Sequence, residues 1–208
     1  AYSCDIQDQS GGHPEWHVMG DVSPMLNGNC EFTTKDGQKH KQDGKWDMII
    51  AFPPCTHLAL SGARWFEQKR ADGRQREAIE FFASFFDADC DKLVVENPSN
   101  IIGGDYIKEH FPDLYEKYEG ARTKPTQRIQ PWMFGDNAQK TTCLWLKGVP
   151  ELSPMVTERP DDIEFVEYTR SNGKKVRLPK WYSNASGDRS KVRSKTFTSL
   201  IPIICTEA

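Results

Sequence analysis

The chain has 208 residues, of which 37% are hydrophobic and 27% charged, and a formal net charge of −3. These values support one sizeable core with appendages and leave little room for two independent domains. No apolar run is long enough to span a bilayer and the start does not resemble a secretory signal, so a soluble cytoplasmic protein without a membrane partner is expected. Six cysteines, at positions 4, 30, 55, 90, 143 and 205, include no Cys-x-x-Cys pair and argue against a disulfide framework or a metal site.

Residues 2–6 read as the end of a strand, and His17-Val18-Met19 before Gly20-Asp21 reads as a second short one. Residues 27–45 are polar, carry three glycines and read as an exposed excursion. The nearly continuous apolar run 46–52 suits a strand buried on both faces of a parallel sheet. A helix can start within 58–66, although Gly62 weakens that assignment. Over 74–88, Ile79, Phe82 and Phe86 recur at helical spacing, with Ala78, Phe81 and Phe85 widening the stripe. This crossover helix leads into a strand at 92–95. A weaker helix follows at 106–118, containing Pro112, and then an apolar strand at 141–146. Strands alternating with helices predict an α/β fold with a mostly parallel sheet and right-handed crossovers.

After about residue 150 the pattern dissolves, until the apolar stretch 197–204 offers a returning element. The expected organisation is a catalytic domain over 1–150 and a basic extension over 151–208. Between Thr169 and Thr196 the chain carries nine basic residues against one acid, Asp188, so the remainder is distinctly acidic. Arg170, Lys174, Lys175, Arg177, Lys180, Arg189, Lys191 and Arg193, with Trp181 among them, suit a phosphate backbone and exposed bases. A solvated surface tail is the plain alternative.

The chemistry-bearing residues stand at strand ends. Asp47 to Ala51 runs into Phe52-Pro53-Pro54-Cys55, which places a thiol rigidly at a strand's C-terminal edge, where open α/β sheets hold their ligands. The next strand ends in Glu96-Asn97-Pro98, so a nucleophile and a carboxyl group can face one crevice. Taken singly, Cys55 is equally well a small buried cysteine and Glu96 a strand-end carboxylate. A phosphatase loop requires arginine six positions after the cysteine, where Ser61 stands. A papain-like site requires a histidine base in a recognisable context, which His57, two residues away, does not provide.

Phe52-Pro53-Pro54-Cys55, continuing through Thr56 to Ser61-Gly62, resembles the nucleophile loop of DNA (cytosine-5) methyltransferases. Glu96-Asn97-Pro98 resembles that family's Glu-Asn-Val element. Phe134-Gly135 followed by Gln139-Lys140 resembles its next motif, ahead of the strand at 141–146. Order and spacing agree over roughly residues 5–147. The stretch Gln130 to Gly135, with Pro-Pro-Cys-Thr-His, resembles small phage-encoded members that lack a large target-recognition domain.

The resemblance implies a Rossmann-like fold with helices on both sheet faces, in a chain that starts after the family's first strand and Gly-rich loop. It implies transfer of a methyl group from S-adenosylmethionine to C5 of cytosine in DNA, in a bacterial or phage-infected cell, with restriction-modification as the setting. Catalytic positions would be Cys55, Glu96, Asn97, Pro54 and Lys140, and cofactor contacts Asp5, Ile6, Asp21, Val22 and Pro53. Where the family has arginines the chain has Thr141 and Thr142, leaving Lys140, Arg122 and Arg128 as candidate substitutes. The partner would be DNA, single-stranded or with a flipped cytosine, and a partner subunit is an option for target recognition. The competing readings are a nucleic-acid-binding relative without catalysis, and an enzyme acting on RNA or a free nucleotide.

Overall fold

The computed structural model describes residues 1–8, 11–169 and 172–180. It is an α/β structure centred on a four-stranded mixed sheet. Strands β1 (Ser3–Asp5) and β2 (His17–Met19) form a parallel pair, and β3 (Cys30–Thr33) and β4 (Lys39–Gln42) an antiparallel hairpin. The main sheet contains β5 (Ile49–Ala51), β6 (Leu93–Pro98), β7 (Gln127–Ile129) and β8 (Thr142–Lys147) in the order β5-β6-β8-β7. Helices α1 (Phe66–Ala71) and α2 (Arg74–Ser84) connect β5 to β6. Helices α3 (Asp105–His110), α4 (Pro112–Lys117) and α5 (Glu119–Arg122) lie between β6 and β7. A second hairpin, β9 (Phe165–Thr169) with β10 (Lys175–Pro179), follows β8.

Strict alternation divides the main sheet between two cores. Ala51, Leu93, Val95, Cys143 and Trp145 face one side, where Phe66, Ile79, Phe82, Ile107, Leu114 and Ala121 bring all five α-helices together. Val94 and Leu144 face the other side against Ile129, Phe134 and Leu152. There the cover is the 3-10 turn Pro131–Phe134 and the segment 148–152, so among the described residues the α-helices occupy one face, not two. A short irregular cover suffices because that apolar patch is small. Core packing continues past residue 150, since the Gln127 amide brackets both the N–H and the carbonyl of Leu152, at 2.9 and 2.8 Å.

The sheet is also less parallel than expected. β5 pairs parallel with β6, but β8 runs antiparallel to both β6 and β7. A strand buried on both faces has the same apolar composition in either direction, so the run at 141–146 carried no directional signal. The helix expected at 106–118 is broken, because Pro112 cannot continue α3 and instead opens α4 at its first turn. The polar excursion at 27–45 is the β3–β4 hairpin. Its Phe32 joins Val18 and Met25 in a small satellite core, with Trp46 donating from Nε1 to the Met25 carbonyl at 2.6 Å. Among the described residues no helix is long and apolar enough to cross a membrane.

Candidate functional site

Two parallel strand ends create the site. β5 exits into Phe52-Pro53-Pro54-Cys55, where successive prolines fix φ and remove two N–H donors, so the turn cannot extend the sheet. The Cys55 carbonyl accepts from the N–H groups of Leu58 and Ala59, at 3.0 and 2.9 Å, closing a tight turn around fully buried Leu58. Beyond it, Leu60 N–H donates to the Ser99 carbonyl at 3.0 Å and Ile101 N–H to the Leu58 carbonyl at 3.2 Å. The loops leaving β5 and β6 are therefore stitched together.

Asn97 completes the connection. Its side chain, 1% exposed, donates from Nδ2 to the Pro53 carbonyl at 2.7 Å and accepts at Oδ1 from Asn100 Nδ2 at 3.0 Å. The next residue inward, Glu96, is 6% exposed, and its Oε1 has no hydrogen-bond partner among the described residues. Burial pushes the Glu96 carboxyl above the usual carboxylate range, opposed by the positive charge of Lys140. The Cys55 thiol is also pushed up by burial. Lys140 counters that shift, Glu96 adds to it, and the Cys55 backbone N–H and Lys69 act against it.

These groups border one cleft of about 80 Å³, lined by Cys55, Glu96 and Lys140 together with Phe52, Pro53 and Pro98; Pro54 and Asn97 complete its wall. Of the three cations considered as arginine substitutes, Lys140 alone lines it. Arg122 closes α5, and Arg128 lies with Ser99 against the Cys143 thiol. A thiol, a buried carboxyl biased toward its protonated form and an ammonium around one small opening can add sulfur to an electron-poor ring while a ring nitrogen receives a hydrogen bond.

The expected cofactor residues gather elsewhere, at the ends of β1 and β2. Asp5 is in register with Met19, and Gly20 N–H donates to the Asp5 carbonyl at 3.0 Å, which brings Asp5 and Gly20-Asp21 together. Asp21 Oδ1 accepts from Ser23 N–H at 2.9 Å and Ser23 Oγ at 2.7 Å, holding its carboxyl below the usual range. Ile6 is 75% exposed beside them, while half-buried Val22 packs on the main core. Asp5, Ile6, Asp21 and Val22 do not line the Cys55 cleft, and Pro53 does. Among the described residues no group of three or more His, Cys, Asp or Glu is placed to hold a metal ion.

The basic segment is described only to Lys180. Lys174 and Lys175 are exposed at the β9–β10 turn. Arg177 stacks over Phe165 at 4.2 Å and Lys180 pairs with Glu164 at 2.6 Å, so both are engaged within the hairpin. Arg170, Trp181, Arg189, Lys191 and Arg193 lie outside the described residues.

Two supporting residues gave no signal in the sequence. Gln75 on α2, fully buried, donates to the His57 carbonyl at 3.0 Å and accepts from the Tyr106 hydroxyl at 2.8 Å. Lys69 on α1 donates to the Thr56 carbonyl at 2.5 Å. Both are polar residues in a charged stretch, where sequence alone reads a solvated face. Searches against protein-family models, curated proteins and solved structures find no match to the chain.

Proposed function

We propose that this chain transfers a methyl group from S-adenosylmethionine to C5 of cytosine in DNA, on a Rossmann-like methyltransferase scaffold, with Cys55 as nucleophile. The observation that carries the reading is the convergence of thiol, buried carboxyl and ammonium on one cleft at the ends of two parallel strands. Cytosine C5 is a poor nucleophile until C6 carries a sulfur substituent. The Cys55 thiol gives its proton to solvent and its Sγ bonds to C6; the C5–C6 π electrons shift to C4–C5, and the C4–N3 π electrons take the proton that a protonated Glu96 gives to N3. The other Glu96 oxygen accepts from the exocyclic amine. The burial that raises the Glu96 pKa, biasing it toward the proton-bearing form, suits it to this task.

Lys140 fits the carbonyl at ring position 2, where negative charge develops during the addition. S-adenosylmethionine supplies the methyl group. In this reading Asp5 and Asp21, which meet at the ends of β1 and β2, would accept from ribose and adenine donors, and exposed Ile6 would pack on the adenine face. Once C5 is methylated, loss of its proton to a base restores the double bond and the C6–S bond breaks, releasing Cys55. A base inside a duplex cannot enter so small a cleft, so the cytosine has to leave the stack.

The test is intact mass after incubation with S-adenosylmethionine and DNA containing 5-fluorocytosine, with Cys55→Ala as control. Fluorine at C5 blocks the final elimination, so a methylated DNA adduct is expected on the wild type alone. An adduct on Cys55→Ala would refute the nucleophile. Parallel reactions with RNA and dCMP decide the substrate class. Exposed Lys174 and Lys175 favour the second reading, a nucleic-acid-binding relative without catalysis; DNA binding with no adduct on any substrate would select it.

A further inference from the structure

Lys69 stands apart from every other cation in the described residues. It is 7% exposed, and its Nζ donates to the main-chain carbonyl of Thr56, the residue after the nucleophile. No carboxylate pairs with it among the described residues. Its acidic neighbour Asp72 is bound to Arg74 instead. A buried ammonium held by one carbonyl is costly unless another group uses its charge.

The backbone makes room for that ammonium. A Cβ on Gly62 would stand 3.3 Å from Lys69 Nζ and 3.8 Å from the Thr56 carbonyl oxygen, so the absence of a side chain there leaves space for the cation against the loop. The Phe66 ring lies beneath the ammonium at 5.9 Å. Lys69 does not line the cleft. Its contact is with the Thr56 carbonyl, whereas Lys140 lines the cleft itself.

We propose that Lys69 is a positioning residue for the Cys55 thiolate, fixing the loop peptide at Thr56 and bringing a positive charge to the loop that carries the nucleophile. The inference rests on the reading of Cys55 as a nucleophile and goes beyond it, because it names a group that partly offsets the cost burial places on the thiolate. The groups facing Cys55 are Glu96 from β6, Lys140 from the loop before β8, and Lys69 from α1. Those facing Lys69 are Arg74, Asp72 and Cys55, with His57 in the adjoining turn pushed below its usual range by burial and by the Lys69 and Arg74 charges. Removing Lys69 deletes a cation from the Cys55 set and leaves Glu96 in place. The thiolate then forms only at higher pH.

Alkylation of Cys55 by iodoacetamide tests this without nucleic acid or cofactor, so its outcome is independent of the methyl-transfer experiment. The rate would be followed from pH 6 to 10 by peptide mass spectrometry, with Cys30 as internal reference. Lys69→Gln retains an N–H donor for the Thr56 carbonyl but removes the charge, and Lys69→Met removes both. In both variants the midpoint of the Cys55 profile is expected to rise, with roughly threefold slower alkylation at pH 7 and an unchanged Cys30 profile. Gly62→Ala keeps the charge but crowds it, and is expected to shift the profile in the same direction by less. A Lys69→Gln profile that coincides with wild type would overturn the proposal and reduce Lys69 to a loop anchor. An equal shift at Cys30 would overturn it as well, by showing a global change.

Discussion

The four-stranded sheet and the β9–β10 hairpin follow the same alternating pattern, but only the sheet gives both of its faces an apolar partner. In β6 and β8, Val95 and Trp145 meet the helices while Val94 and Leu144 meet the opposite cover. In the hairpin, Val166 is opposite Leu178 and Tyr168 opposite Val176 on one side, with Glu167 opposite Arg177 on the other, and most of these residues are exposed. An isolated two-stranded ribbon is marginal in water, so the hairpin draws its order from cross-strand pairs and the Lys180–Glu164 closure. The contrast assigns different work to each region. On the proposed reading, chemistry that needs fixed distances falls to the doubly covered sheet, and charge, which acts over a Debye length, to the locally held ribbon.

The sharpest way to break this division is Cys55→Ala. It is expected to lower methyl transfer by at least about a thousandfold while leaving the thermal midpoint close to wild type. Trp145→Ala attacks the other half of the comparison. Trp145 is 1% exposed and donates from Nε1 to the Thr123 carbonyl at 2.8 Å, so its removal is expected to cost about 3–5 kcal/mol in urea unfolding.

Glu96→Gln combines both properties. It is expected to reduce transfer roughly a hundredfold, since a neutral amide retains shape but not a titratable proton. Its effect on stability has a definite sign. The folded-state pKa of Glu96 is raised, so the native state binds more protons than the unfolded chain and stability falls as pH rises through that raised value. Glu96→Gln removes this slope. Differential scanning calorimetry is expected to show the variant gaining on wild type from pH 5 to pH 8, with no gain near pH 4.

Lys174→Glu with Lys175→Glu sharpens the hairpin side. DNA affinity is expected to fall with a salt slope smaller by roughly two, and the calorimetric transition to stay unchanged. Tyr168→Ala, on the exposed face of the hairpin, is the smallest expected effect, within about 0.5 kcal/mol.

What was legible in the sequence follows the same line. β5, β6, β8 and α2 were readable because long apolar burial leaves continuous or 3.6-spaced hydrophobic residues, and Cys55 and Glu96 were readable because each ends such a run. The β3–β4 hairpin was missed because a single inward aromatic, Phe32, anchors it among polar residues. β9 and β10 were missed because the charges of Lys174, Lys175 and Arg177 masked a period-two pattern. Lys69 and Gln75 were invisible because a polar side chain that satisfies a buried carbonyl is identical in sequence to one that meets water.

The Asn97 amide has a mechanical consequence. By binding the Pro53 carbonyl from the strand that carries Glu96, it serves as a ruler between the thiol and the carboxyl of the proposed site. The separation of sulfur and carboxyl is thus gauged by the length of one short side chain. Asn97→Gln would lengthen that ruler by one methylene, about 1.5 Å. Misplacements of this size can cost a reaction roughly a hundredfold in rate even when every participating atom is still present.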